Sequence, residues 1–201
     1  LDVIDLFREN DTRDELGLGV IRDAFSDHFF PGTSTIQTRV RYFLFVPWIM
    51  KQLEDKQIRS EDAKRRLRQY QGRLRDSLIK GDEETGVIGY RAGINVLRLP
   101  SSVYWNGLRR WGILRFQGSE DEYQRSLDGY YARHRRALRT DDGEPVDGIA
   151  VANWDAHFPT APDGLLEETT FELEDEEVEY IVDRIKMMAS HSLLSQMIDH
   201  G

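Results

Sequence analysis

From Tyr42 to Met50 the chain runs through nine residues without a charged or strongly polar side chain, its longest unbroken apolar stretch. A helix that is apolar all round has no side to offer water and must be buried. The run is far shorter than the roughly 20 residues a membrane-spanning helix needs, and Pro47 interrupts it. It therefore reads as the core of a water-exposed domain. With 201 residues and 39 % hydrophobic content the chain can bury such a core as one domain or one and a half.

Around this run the pattern is helical. Asp2 to Arg8 is a short amphipathic stretch. Asp11 or Thr12 stands at the N-cap of a helix ending near Phe30, with Leu16, Val20, Ile21, Phe25 and Phe29 as its apolar face. Gly17 and Gly19 weaken its first turn. Pro31-Gly32 ends it, and Ser34 with Gln37 has capping-box spacing, so a second helix is expected from Thr35 through Leu44, kinked or divided at Pro47. Ser60, Glu61 and Asp62 open a third, whose stripe Ala63, Leu67, Tyr70, Leu74 and Leu78 faces inward. Gly81 to Gly93 reads as a glycine-studded loop or hairpin. Ser101 or Ser102 should cap a helix stopped by Gly112 in the left-handed conformation, and Ile113 to Phe116 a short strand. Ser119 and Glu122 form a second capping box before a helix carrying Tyr123, Leu127, Tyr130, Tyr131 and Leu138. The last long helix spans about Asp175 to Ala189, and a short one covers Leu193 to Ile198. The fold class expected is mainly α: helix-turn-helix or winged-helix-like hairpins, at most a small β-hairpin, and an acidic C-terminal helical segment. Residues 1–139 form the basic helical domain, 140–164 a linker or loop, and 165–201 the acidic helices.

The net charge of -9 conceals a segregation. Residues 1–38 carry 3 bases against 8 acids, residues 39–139 carry 22 against 12, and residues 140–201 carry 2 against 16. The middle can meet a polyanion and the tail cannot. Much of the excess lies on the third helix, in Lys64, Arg65, Arg66, Arg68, Arg73, Arg75 and Lys80. Arg133, Arg135, Arg136 and Arg139 suit the C-terminal end of a helix dipole, which accounts for another part.

Two constellations point to nucleic acid. In a helix-turn-helix the start of the second helix enters the major groove, which would set Thr35, Gln37, Thr38, Arg39 and Arg41 against bases or phosphates. The bland reading is a packed helical hairpin, which the apolar continuation favours. Separately, the basic helix could track phosphates, and Arg109, Arg110 and Arg115 near Trp105 and Trp111 give the aromatic interleaving of single-strand binders. Its bland counterpart is a solvated face, or one docked on the chain's own acidic tail or on a partner. Catalytic signals are poor. The five histidines are scattered, and His28 with Asp27 and Asp23 makes only a possible metal corner. No phosphate-binding glycine loop is present. A nuclease carboxylate pair with its lysine would have to combine Glu54-Asp55-Lys56 and Pro162-Asp163 in reversed order. No metal or cofactor is expected, and the absence of cysteine fits a reducing, cytoplasmic setting.

Three stretches carry a family likeness: Phe30-Pro31-Gly32-Thr33-Ser34-Thr35-Ile36-Gln37-Thr38-Arg39 with Tyr42 to Trp48; Leu99-Pro100-Ser101-Ser102-Val103-Tyr104-Trp105-Asn106-Gly107-Leu108-Arg109-Arg110-Trp111-Gly112-Ile113; and Asn153-Trp154. In this order they resemble the N-terminal part of an uncharacterised bacterial family of unknown function. The resemblance implies a fragment of a longer protein, in keeping with a chain that opens on Leu1, and a link to gene neighbourhoods of antiviral defence. It supplies no catalytic residues. The function expected is a non-enzymatic nucleic-acid-binding component of a bacterial defence or DNA-transaction complex, with protein partners and no membrane contact. The alternatives are a scaffold subunit without nucleic-acid contact, or a nuclease-like hydrolase.

Overall fold

A computed structural model describes residues 19–137 and 152–200. The expectations placed on Asp2 to Arg8, Asp11, Thr12, Leu16, Leu138, Arg139 and Thr140 to Gly148 lie outside the described residues. The elements are α1 (residues 19–29), α2 (Tyr42–Asp55), α3 (Ser60–Lys80), α4 (Pro100–Arg110), α5 (Glu120–Ala137), α6 (Asp175–Met188) and α7 (Leu193–His200), with a single 3-10 turn at Gly93–Asn95. The described chain is mainly helical, as its periodicity implies. Among the described residues there is no strand: the stretch expected at Ile113 to Phe116 forms only an antiparallel bridge between Leu114 and Trp154.

Every residue of α2 from Tyr42 to Met50 is buried. α3 and α4 pack against it, and α5 packs on both of these. The remaining surface of α2 is closed by the C-terminal third: the Trp48 indole donates to the Pro159 carbonyl at 2.8 Å, and the Phe171 ring lies 5.5 Å from Tyr42 and 6.2 Å from Phe45. A proline inside a helix costs about 3 kcal/mol. α2 nevertheless runs through Pro47 undivided, held by contacts on all its faces.

Two start signals are displaced. The helix expected from Thr35 begins at Tyr42. Only half of the Ser34–Gln37 capping box forms: the Ser34 N–H donates to Gln37 Oε1 at 3.2 Å, but the Gln37 N–H goes to the Ser34 carbonyl at 3.1 Å, and no helix follows. Thr35, Ile36 and Val40 lie in turns instead. The Tyr104 hydroxyl fixes the segment between them, accepting from the N–H groups of Thr38 and Arg39 at 2.8 and 3.0 Å. The expected serine caps of α3 and α4 are likewise replaced by bonds between helices. Ser60 exchanges hydrogen bonds with Arg125 and Asp128 of α5. The Ser101 N–H at the start of α4 donates to Gln71 Oε1 of α3 at 2.7 Å. The second capping box forms as read, Ser119 N–H to Glu122 Oε2 at 2.7 Å and Glu122 N–H to Ser119 Oγ at 3.2 Å. Gly112 ends α4 at φ +64°.

The acidic C-terminal segment packs back onto the helices. Glu177 of α6 does two jobs: one oxygen takes the Arg41 guanidinium at 2.7 Å, with both side chains more than 90 % buried, and the other caps its own helix from the Glu174 N–H. Removing one member of such a pair strands a buried charge, at a cost of about 3–5 kcal/mol, whereas an exposed pair contributes about 1 kcal/mol or less. In urea denaturation Glu177→Ala should therefore lose about 3–5 kcal/mol, and Asp62→Ala, which frees the exposed Arg65, about 1 kcal/mol or less. Equal losses would show that the buried pair is not the anchor described.

Candidate nucleic-acid interface

Of the residues expected to read bases, Gln37, Thr38, Arg39 and Arg41 bond within the fold, Thr38 and Arg39 while still exposed. Arg41 is buried against Glu177 and the Thr170 carbonyl and cannot reach a groove of DNA. Arg39 donates twice to the Thr85 carbonyl, at 2.9 and 3.1 Å, and its guanidinium stands 5.5 Å above the Phe171 ring. Thr38 Oγ1 donates to the Gly86 carbonyl and Gln37 Nε2 to that of Gly32. Thr35 is exposed, in a turn rather than on a helix. The recognition-helix expectation thus gives way to a strap laid over α4 and the 85–86 loop. At the far end of α4, Arg109 is exposed beside Gln117, and Arg110 pairs with Asp27 of α1 at 2.5 Å. With that, Asp27 of the suggested metal corner is engaged. Among the described residues no three His, Asp or Glu side chains converge as a metal site requires.

The structure does gather the cations of α3. Its buried stripe, Ala63, Leu67, Tyr70, Leu74 and Leu78, fixes the roll of the helix. Lys64, Arg65, Arg66, Arg68 and Arg73 then project into solvent, whereas the Arg75 side chain is mostly covered. A groove of about 620 Å³ opens along this face. One wall is α3, with Arg65, Arg66, Arg68, Arg73 and Arg75; the other is the 88–99 loop, with Ile88, Val96 and Leu99. Arg39, Arg41, Arg109 and Arg110 line no part of it. One acid lines it, Asp76, paired with Arg75 at 2.5 Å. Lys64 and Arg68 continue into an adjoining trough with Leu97, Leu99 and Trp105. Glu120 stands there too, and burial pushes its carboxyl above the ordinary glutamate value.

Residues 1–201 match a family of unknown function, DUF6361. The chain belongs to that family. No curated protein and no solved structure matches it. The DUF6361 fold accounts for much of the sequence that carried the resemblance. Gly32 and Gly107 let the turn after α1 meet α4, since a Cβ on Gly107 would lie 2.4 Å from the Gly32 carbonyl oxygen. Asn153 and Trp154 donate to Glu54 Oε1 at 2.9 and 3.0 Å, and the Tyr123 hydroxyl reaches the same oxygen at 2.5 Å. Glu54, weighed in the sequence only as a nuclease carboxylate, is thus the acceptor that ties residues 153–154 to α2 and α5. Asp155 beside it holds Arg115 at 2.8 Å and Arg184 at 3.7 Å. Burial pushes its carboxyl up, but the bond from Arg115 and the charge of Arg184 outweigh it and hold the value below that of an ordinary aspartate.

Gly72 is the feature of the groove that sequence reasoning missed. It sits inside α3, one turn from Arg68 and from Arg75, and a Cβ built on it would have nothing within 4 Å outside its own helix. Packing explains Gly107; nothing packed explains Gly72. An isolated glycine inside a helical pattern was the available signal. Gly72→Ala should stabilise the protein by about 1 kcal/mol, the helix-propensity difference, read as a higher urea midpoint. A loss of stability would mean that the site is crowded.

Proposed function

We propose that this chain is a non-enzymatic nucleic-acid-binding component of a bacterial defence or DNA-transaction complex, gripping phosphates along α3. The observation that carries this reading is the groove itself: five arginines on one helix around a glycine that no packing demands. Guanidinium groups bind phosphate oxygens through paired N–H donors, and Gly72 leaves the helix surface low between them. The bacterial and defence setting rests on the resemblance read from the sequence alone, the family itself being one of unknown function. The grip is narrower than the charge count suggested, because Arg41 and Arg110 serve the fold.

Filter binding of duplex and single-stranded DNA at two salt concentrations tests the proposal. Retention should fall steeply with salt, and Arg65→Glu with Arg73→Glu should lower the log–log salt slope by about 2, near 0.9 for each phosphate no longer neutralised. Arg110→Glu, on another face, should leave retention unchanged. No retention of either nucleic acid at low salt, or retention indifferent to salt, removes the reading.

The scaffold alternative draws on different surfaces. Val20, Ile21, Phe25 and Phe29 of α1, expected to face the core, are exposed, as are Met187 and Met188 of α6 and Met197 of α7. Contiguous exposed apolar side chains mark interaction surfaces. The scaffold reading has no nucleic-acid contact, so DNA retention that charge reversal on α3 abolishes, with protein assembly intact, favours the first reading over it.

A further inference from the structure

Resting on the nucleic-acid reading and deepening it, we infer that the α3 groove takes unpaired nucleotides, with phosphates on the arginine side and bases on the aliphatic wall that faces it. The groove is strongly two-toned. Five arginines and no lysine line its α3 side, while Ile88, Val96, Leu99 and Pro100 supply a surface with nothing to offer a phosphate. The apolar surface continues past Arg68 to Leu97, which is 97 % exposed, while Trp105 in the adjoining trough is buried and Glu120 and Asp121 bound its far side.

A duplex cannot use such a wall. Its base faces are stacked on one another and only their edges reach a protein. Unpaired bases have free faces, and each gains by covering apolar side chains or by stacking on a guanidinium plane. Arginine serves both ends of the nucleotide: its N–H groups pair with phosphate and its flat face lies on a base, which the lysine ammonium cannot do. The shape agrees. A helix that reads duplex DNA stands proud of its protein to enter the major groove; the outer face of α3 is instead flanked by the 88–99 loop, which forms the facing wall. Leu97 has no packing role that would explain so much exposed aliphatic surface beside these arginines.

Fluorescence anisotropy on the full 201-residue chain distinguishes the outcomes, using a labelled mixed-sequence single-stranded oligodeoxynucleotide, the blunt duplex of that sequence, and a labelled polyglutamate. The single strand should bind at least about tenfold more tightly than the duplex. Leu97→Ser, at a site too exposed to unfold the protein, should weaken single-strand binding about threefold or more while leaving its salt slope intact. Arg65→Glu with Arg73→Glu should weaken it and flatten the slope. Equal binding of single strand and duplex, or single-strand affinity indifferent to Leu97→Ser, overturns this inference and leaves the nucleic-acid reading standing. Absence of binding to either nucleic acid at low salt overturns both. Polyglutamate binding as tight as the single strand would assign the groove to acidic peptide instead.

Discussion

Burial of α2 on all sides is the constraint from which the rest of the structure follows. A half-buried helix needs one neighbour; a fully buried one needs a ring of them. Here α3 and α4 supply two sides, and the return of the chain through residues 153–171 supplies the rest, with Trp48 donating to Pro159 and Tyr42 and Phe45 meeting Phe171. The C-terminal third is thereby drawn onto the core by aromatic contacts, although its carboxylates would otherwise keep it in water. Chemically, the acidic tail is one side of the core.

Charged groups carried into that interior meet specific partners, Arg41 Nε alone among the described buried side-chain N and O atoms making no hydrogen bond, because an unpaired buried charge costs more than any one apolar contact returns. Arg41, one residue before α2, is met by Glu177. Glu54, near the other end of α2, is met by Tyr123, Asn153 and Trp154. The Tyr123 hydroxyl pKa is driven far above the ordinary tyrosine value, by burial first and by the Glu54 charge second, so it remains a donor throughout the physiological range. The two ends of α2 thus select the register of the C-terminal segment, which the apolar contacts alone would leave free to slide.

Helix periodicity was legible wherever one face met the core: the α3 stripe, the Ser119–Glu122 box and the Gly112 stop all stand as read. What misled were signals whose outcome is decided by partners distant in sequence. Ser34 and Gln37 look like a helix start, but Tyr104, more than sixty residues later, takes the backbone N–H groups that a helix would have used. Ser60 and Ser101 look like caps, but α5 and Gln71 reach them first. The 19–29 helix has a clean apolar stripe, yet a stripe states only that a surface wants covering, not that this chain covers it. Of the candidate site, the α3 arginines were legible because consecutive turns of one helix place them together. The facing wall was not, since nothing local in Ile88, Val96 or Leu99 says which helix they will oppose.

The charge segregation takes on a sharper meaning once the ion pairs are placed. Acids after residue 150 are matched to bases that precede it: Glu177 to Arg41, Asp155 to Arg115, Glu168 to Lys80 at the end of α3. None of these pairs draws on the cations around Gly72. Had the basic excess of α3 served only to hold the tail, folding would have brought tail and groove together. Instead the tail reaches α3 at its C-terminal end, where Thr169 and Leu165 bond to Ser77 and Gly81 admits the Thr169 carbonyl. Farther along the helix Arg65, Arg66, Arg68 and Arg73 remain exposed, with Arg65 paired to Asp62 and the more covered Arg75 to Asp76. A polyanion is the partner that the proposed reading assigns to them.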